Sequence, residues 1–431
     1  MESIVVRGGR PLAGEVTIDG AKNSALPLIA ATLLADGGAC RLENVPELRD
    51  IVTITRLLQG MGAEIESCGN TLTISTAGVN DCQAPYELVK TMRASILVLG
   101  PLMARFGKAR VSLPGGCAIG ARPVNLHIRG LEQMGAEISV EHGYIIGRAG
   151  RLKGADISFD LTTVTGTENL MMAAVLAEGT TTLRNAAREP EIVDLAAFLK
   201  KMGAEIEGEG SHTITIHGVE RLAAAAYRVM PDRIEAGTFM VAAGISNGDV
   251  LIRNAPLAAL GAVVAKLQEI GLEIEPQASF AEDEVLGGTP VRVRRRPEGL
   301  RGTDVKTMPF PGFPTDMQAQ VMVLLALAEG SSVISETVFE NRFMHVFELQ
   351  RMGADIEVEG RTAVVRGVAK LSGAPVMASD LRASAGLVLA GLAAEGETVM
   401  SRVYHLDRGY AGFESKLAAL GADIRRISEE L

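Results

Sequence analysis

One stretch of the 431 residues gathers the side chains that covalent chemistry uses: Leu113-Pro114-Gly115-Gly116-Cys117-Ala118-Ile119-Gly120-Ala121-Arg122-Pro123-Val124-Asn125-Leu126-His127. A thiol near a guanidinium has its pKa lowered and can act as nucleophile or acid, and Cys117 stands five residues before Arg122. Gly115, Gly116 and Gly120 give the backbone the freedom that a lid or a close approach to a ligand requires, while Pro114 and Pro123 limit its ends. The alternative is an ordinary buried cysteine, which this loop composition opposes. Cys40, Cys68 and Cys82 keep that ordinary reading.

A second set of chemically able residues recurs at helix starts. The clusters are Ala21-Lys22-Asn23-Ser24, Thr91-Met92-Arg93-Ala94-Ser95, Thr165-Gly166-Thr167-Glu168-Asn169, Pro231-Asp232-Arg233-Ile234-Glu235, Pro314-Thr315-Asp316-Met317-Gln318 and Asp380-Leu381-Arg382-Ala383-Ser384. A helix N-terminus carries free N–H groups and partial positive charge, so Lys22, Arg93, Arg233 and Arg382 are unfavourable there unless an anion joins them. Each could instead form a surface salt bridge, Arg382 with Asp380 and Arg233 with Asp232 above all. Recurrence at one structural position favours a shared anion-binding cleft between two domains. Asp316 has its own alternative, an N-cap carboxylate.

The elements that must position these residues follow from a repeat. A phrase of the type Met-Gly-Ala-Glu-Ile occurs six times, with glycines at 62, 135, 203, 271, 353 and 421, separated by 73, 68, 68, 82 and 68 residues. Between these phrases an apolar helix-like run closes on Gly38, Gly107, Gly179, Gly248, Gly330 or Gly396 and leads into a β-rich stretch. Glycine suits a helix C-terminus because positive φ costs it nothing. An amphipathic helix such as 191–202 then runs to the repeated glycine, and alternating segments predict a hairpin after it, as at 63–67 with 71–75 and 354–358 with 362–366. The last copy lacks its second hairpin strand, and Ser3-Ile4-Val5-Val6-Arg7-Gly8 reads as the missing one. Three repeats over 22–229 are therefore expected to form one domain, and 1–21 with 230–431 the other, with Lys22 and the stretch near Pro231 at a hinge. A continuous solenoid is disfavoured, because the first strand would then span the whole array.

Bulk properties narrow the function classes. The chain is 47% hydrophobic and 22% charged, as expected of a globular protein with more than one core. No apolar run reaches the roughly 18 residues of a spanning helix, since Arg105, Glu178, Glu329 and Glu395 interrupt the longest candidates, and no signal peptide is expected behind Glu2, Arg7 and Arg10. A cytoplasmic protein without membrane contact is expected. A net charge of −10, 4% aromatics and no Trp disfavour nucleic acid as a partner. Four cysteines without CxxC spacing and six scattered histidines without HExxH support neither a disulfide framework nor a metal site.

The segments Ala21-Lys22-Asn23, Thr91 to Ser95, Leu113 to His127, Ala187-Arg188-Glu189-Pro190-Glu191, Phe313 to Gln318, Glu340-Asn341-Arg342-Phe343-Met344-His345 and Asp407-Arg408-Gly409-Tyr410 resemble the enolpyruvyl transferases that act on UDP-N-acetylglucosamine, across essentially the whole chain. The resemblance implies a two-domain inside-out α/β barrel of six βαβαββ repeats, three per domain, closing on substrate. It implies transfer of the enolpyruvyl group of phosphoenolpyruvate to the 3′-hydroxyl of UDP-N-acetylglucosamine by addition and elimination, with phosphate released, as the first committed step of peptidoglycan synthesis. No cofactor and no metal are implied. By the same resemblance Lys22, Arg122 and Arg408 bind phosphoenolpyruvate, Cys117 donates a proton and forms a covalent adduct, and Asp316 is the base. The UDP-sugar falls to Asn23, Arg93, Arg122, Pro123, Val124, Asn125, Leu126, Thr163, Val164, Asp316 and Val338, with Arg342 and Arg382 as further cleft residues. A helix N-terminus is expected to keep Asp316 ionised, making it a weak base but a good orienting group. Two other readings compete: 5-enolpyruvylshikimate-3-phosphate synthase, which shares fold and chemistry but lacks the cysteine loop, and a silent UDP-sugar sensor, which intact Lys22, Cys117, Asp316 and Arg408 oppose.

Overall fold

The structure is a computed structural model that describes residues 2–113, 124–279 and 286–428. Cys117, Arg122 and Pro123 lie outside the described residues. By their internal contacts, 2–19 and 231–428 form one unit, and 20–113 with 124–230 the other.

Among the described residues, six four-stranded sheets recur along the chain. In the third, Asp156–Ser158 runs parallel to Thr180–Arg184, which pairs antiparallel with Thr213–His217, and that strand closes a hairpin with Glu205–Glu207. A parallel pair needs a crossover, supplied here by the helix Val164–Ala174, and the helix Pro190–Met202 leads into the hairpin. Alternation decides the faces: Leu183, Ile214 and Ile216 are fully buried while Thr180, Arg184, Thr213 and His217 are exposed.

The crossover helices are apolar on all sides and therefore interior. All residues of Arg233–Ile245 are buried, and this helix packs against Gln318–Leu325 and Leu381–Ala393. In the other unit Val164–Ala174 packs against Leu99–Phe106 and Lys22–Ala31. The second helix of each repeat ends at the repeated glycine, whose φ lies between 88° and 123° in all six copies. The glycines that close the crossover helices divide differently. Five have positive φ, but at the fourth the left-handed residue is Asn247, with φ 53°. Gly248 is needed there for space, since a Cβ would sit 2.4 Å from the Leu12 carbonyl oxygen.

The chain ends close one repeat. Glu2–Arg7 is an inner strand, antiparallel to Glu397–Ser401 on one side and to Asp423–Ser428 on the other, with Ser3 opposite both Ser401 and Ile427. Ala13–Thr17 then runs parallel to Asp249–Ala255. A second long-range exchange went unseen in the sequence: Ala226–Arg228 is the edge strand of the first sheet, parallel to Ala39–Glu43. Cys40 and Cys82 are buried as expected, whereas Cys68, at the end of the edge strand Glu64–Cys68, is exposed.

If the first strand holds its sheet together, Ile4→Ala, at a side chain with 0% exposure, should cost about 2–5 kcal/mol. Arg7→Ala, which removes only the exposed pair with Glu397, should cost less than about 1 kcal/mol. Urea denaturation followed by a probe in 231–428 distinguishes them, and equal small losses would show the strand to be dispensable.

Candidate active site

Lys22 is the first residue of the helix Lys22–Ala31 and is buried. Its Nζ lies 3.3 Å from Oδ2 of Asp50, another buried group, in the first turn of Arg49–Gly60. Asn23 beside it is exposed. Arg93 opens the 3₁₀ helix Arg93–Val98 and is half-buried. Val124 immediately precedes the helix Asn125–Gln133, on which Asn125 is exposed and Leu126 half-buried. Thr163 caps Val164–Ala174, its Oγ1 accepting the Gly166 N–H at 3.2 Å. These assignments place Lys22 and Arg93 at helix starts, as the register predicts, and start the third helix at Val164, one residue before the Thr165 cluster.

His127 ties two of these starts together. Its Nδ1 meets Nδ2 of Asn169 at 2.8 Å, its Nε2 lies 3.5 Å from Thr165 Oγ1, and Asn169 Oδ1 accepts the Gly100 N–H at 2.6 Å. Burial first, and the charge of Arg93 second, push the imidazole down to about 4, so near neutral pH it orients its neighbours as an uncharged ring.

In the other unit, Asp316 lies on the 3₁₀ turn Thr315–Met317 that opens the helix Gln318–Leu325. Its Oδ2 accepts from Nε and Nη2 of Arg382 at 3.1 and 3.0 Å, and its Oδ1 from Nη2 of Arg342 at 3.0 Å. Both arginines are buried, whereas the Asp316 side chain is 25% exposed. Arg382 thus presents the planar fork that suits a carboxylate. Burial disfavours its charge, but Tyr410, Asp316 and Asp232 outweigh that and raise its pKa. The Tyr410 hydroxyl meets Thr238 Oγ1 at 3.0 Å and accepts from Gln320 Nε2 at 3.1 Å, while the same Nε2 reaches the Asp316 carbonyl at 3.0 Å.

Two expectations are corrected here. Asp316 is not an N-cap; that role belongs to Asp232, which accepts the Ile234 and Glu235 N–H groups, and to Asp380, which accepts those of Arg382 and Ala383. Nor does Arg382 make a surface salt bridge with Asp380, because its side chain turns inward to Asp316.

Val338 follows a buried acid that the sequence reading missed. Glu336 Oε1 accepts from Thr307 Oγ1, the Val338 N–H and the Phe339 N–H at 2.8, 2.8 and 3.2 Å, and its Oε2 from Thr315 Oγ1 at 2.8 Å. One carboxylate therefore fixes both the Val338 loop and the residue before Asp316. The only signal was an acid directly after the strand Ser331–Ser335. Arg408 ends the 3₁₀ helix Val403–Arg408, half-buried, next to Asp407, whose Oδ1 accepts from Arg426 Nη2 at 2.7 Å. Among the described residues no group of His, Cys, Asp and Glu could hold a metal ion, and no helix is long and apolar enough to cross a membrane.

Comparison with known proteins adds a family. Residues 6–417 match the family described as EPSP synthase (3-phosphoshikimate 1-carboxyvinyltransferase). The chain is 59% identical over 429 residues to a UDP-N-acetylglucosamine 1-carboxyvinyltransferase of Geotalea uraniireducens (strain Rf4), with 100% of each covered. It is equally 59% identical to one of Nitratidesulfovibrio vulgaris (strain DP4), again over the full length of both. Among solved structures, the enolpyruvyl transferase NikO from Streptomyces tendae superposes with a TM-score of 0.87 at 26% identity, covering 100% of this chain and 99% of that one. An EPSP synthase from Acinetobacter baumannii reaches 0.76 at 19% identity over 99% and 100%, which bears on the fold alone. The expected two-domain inside-out α/β barrel is the fold these proteins share.

Two outcomes test the geometry. Arg382→Ala should cost about 1–3 kcal/mol in denaturant, because it removes two of the three guanidinium bonds on an Asp316 that keeps Arg342; a loss below about 1 kcal/mol would show the pair to be well solvated. The His127 ring should stay uncharged in an NMR titration down to about pH 5. As pH falls from roughly 6.5, the unfolded chain takes up a proton that this folded imidazole refuses until about 4, so the group weakens the fold over that window. Titration of the folded ring near 6.5 would contradict its desolvation.

Proposed function

Because the chain belongs to the EPSP synthase family of enolpyruvyl transferases, we propose that it transfers the enolpyruvyl group of phosphoenolpyruvate to the 3′-hydroxyl of UDP-N-acetylglucosamine, releasing phosphate. This is the first committed step of peptidoglycan synthesis, and we place it in the cytoplasm. The observation that carries the choice of acceptor is the 59% identity, over the full length of both chains, to enzymes named for UDP-N-acetylglucosamine.

The reaction needs a proton for the methylene carbon, a base for the sugar hydroxyl and cations for the phosphate and carboxylate. In the addition step, Cys117 supplies the proton to the methylene carbon while the 3′-oxygen bonds to C2 and gives its proton to Asp316, leaving a tetrahedral ketal. Elimination then returns a methyl proton to the Cys117 thiolate and breaks the C2–O bond to phosphate, which leaves with the Asp316 proton, restoring the double bond. Cys117 also carries a covalent adduct of phosphoenolpyruvate. Lys22, Arg122 and Arg408 bind phosphoenolpyruvate; Asn23, Arg93, Arg122, Pro123, Val124, Asn125, Leu126, Thr163, Val164, Asp316 and Val338 hold the UDP-sugar.

Several contacts support these roles. Lys22 is poised as a buried cation whose partner Asp50 an incoming phosphate would rival for its hydrogen bonds. Asp316, gripped by Arg342 and Arg382, suits orienting a hydroxyl more than removing its proton outright, because two guanidiniums favour its anionic form. Full proton transfer then develops only as the C–O bond forms.

The decisive assay is phosphate release from phosphoenolpyruvate with UDP-N-acetylglucosamine against shikimate 3-phosphate as acceptor. Activity with the former alone is expected, and activity with only the latter, or with neither, overturns the proposal. Cys117→Ala should lose at least about 10²-fold in turnover and all labelling by an epoxide phosphonate while remaining folded. Labelling at Cys40, Cys68 or Cys82 instead would reassign the reactive thiol.

A further inference from the structure

The helix that begins with Lys22 lacks the side-chain cap that three of its counterparts carry. Thr163, Asp232 and Asp380 each cap their helix with a side-chain oxygen, but Ala21, at the N-cap before Lys22, has no such group. A first turn without a cap frays unless something else fixes it. Here that is a buried carboxylate on a different helix, Asp194 of Pro190–Met202.

Asp194 is 1% exposed. Its Oδ2 accepts a short hydrogen bond from the Ser24 hydroxyl and one from the Met230 N–H at 3.2 Å, and its Oδ1 accepts from the Tyr227 hydroxyl at 2.6 Å. The Met230 carbonyl in turn accepts the Ala21 N–H at 2.7 Å. The bonds close a ring: Ala21 is pinned through Met230 and Ser24 directly, and both pins end on one carboxylate. Lys22 and Asn23 are the two residues between them. The ring therefore sets the place of both.

We propose that Asp194 is a positioning residue for the transfer reaction, its ionised carboxylate holding the Ala21 to Ser24 turn so that Lys22 and Asn23 meet their substrates. This rests on the function proposed above. Charge matters because an ionised carboxylate accepts each of its three hydrogen bonds more strongly than a neutral carboxyl does. The groups facing Asp194 are Ser24 from the Lys22–Ala31 helix, Tyr227 from its strand, the Met230 backbone, and Glu191 on its own helix; Lys201 lies 5.2 Å from the Tyr227 ring centroid. Burial, aided by Glu191, raises the Asp194 carboxyl to about 6, and the Ser24, Tyr227 and Met230 donors pull it down. The turn is thus fully held above that pH and loosens below it.

The test measures kcat, KM for phosphoenolpyruvate and thermal midpoint against pH for wild type, Ser24→Ala, Tyr227→Phe, Asp194→Asn and the double variant Tyr227→Phe/Asp194→Asn. Asp194→Asn should lower kcat/KM for phosphoenolpyruvate by about 10- to 100-fold. Tyr227→Phe, by removing a donor, should move the acid limb of kcat/KM to higher pH, and should leave that limb unmoved once Asp194 is Asn. If Asp194→Asn does not fold, Ser24→Ala carries the test through a several-fold rise in KM and the same upward shift. Lower thermal midpoints with an unchanged KM and acid limb in Ser24→Ala and Tyr227→Phe would reduce Asp194 to a fold-stabilising group and overturn the proposal. Wild-type turnover in the same series reports separately on the reaction. Should it fail, calorimetric titration with phosphoenolpyruvate reads the pin instead: unchanged affinity in Ser24→Ala and Tyr227→Phe overturns it, and weakened affinity sustains it.

Discussion

Everything in this molecule follows from a burial constraint on its crossover helices. In four of the described repeats an apolar helix joins two paired parallel strands, while Lys22–Ala31 and Arg233–Ile245 join strands of different sheets, and the crossover helices of a unit pack against one another. Such a helix has nowhere to place a polar group except at its ends. Lys22, Arg93, Asp316, Arg233 and Arg382 all fall in first turns because that is where a charge can exist without facing the core. Those same turns offer helix-start N–H groups and partial positive charge, features that suit an anion.

Placing charges at the mouths of apolar bundles has an electrostatic cost, and partners offset it. Arg382 is 2% exposed and Arg342 4%, burial that would be prohibitive without Asp316 between them. In the same unit Lys416 donates to Glu235 at 2.5 Å and to Asp19 at 2.8 Å, yet burial still lifts the Glu235 carboxyl to about 7. Asp194 shows a different solution, a carboxylate satisfied by neutral donors alone.

Much of this was legible in sequence because it is local or periodic. The glycine of each Met-Gly-Ala-Glu-Ile phrase predicted a helix end followed by a strand, and positive φ at all six shows why the residue recurs. Strand alternation separated buried from exposed positions without reference to anything distant. The first strand's place beside 397–401 and 423–428 could be anticipated because one repeat was visibly short of a strand. By contrast, the edge strand 226–228 pairs with 39–43 across nearly the whole unit, and three residues carry too little pattern to announce a partner.

The sequence by itself determined the repeat, the register of the helix starts, the chemical types standing there and, through the segments around Lys22, Cys117, Asp316 and Arg408, the family. These are properties of order along the chain, and order along the chain is what a sequence records. Only the tertiary structure decided which side chains meet: that Arg382 turns from the neighbouring Asp380 to Asp316, 66 residues away, that Glu336 fixes the Val338 loop, and that Asp194 closes a ring around Lys22 and Asn23. Those choices depend on desolvation and hydrogen-bond direction inside a packed core, where each buried polar group must take the partner that the surrounding helices bring within reach.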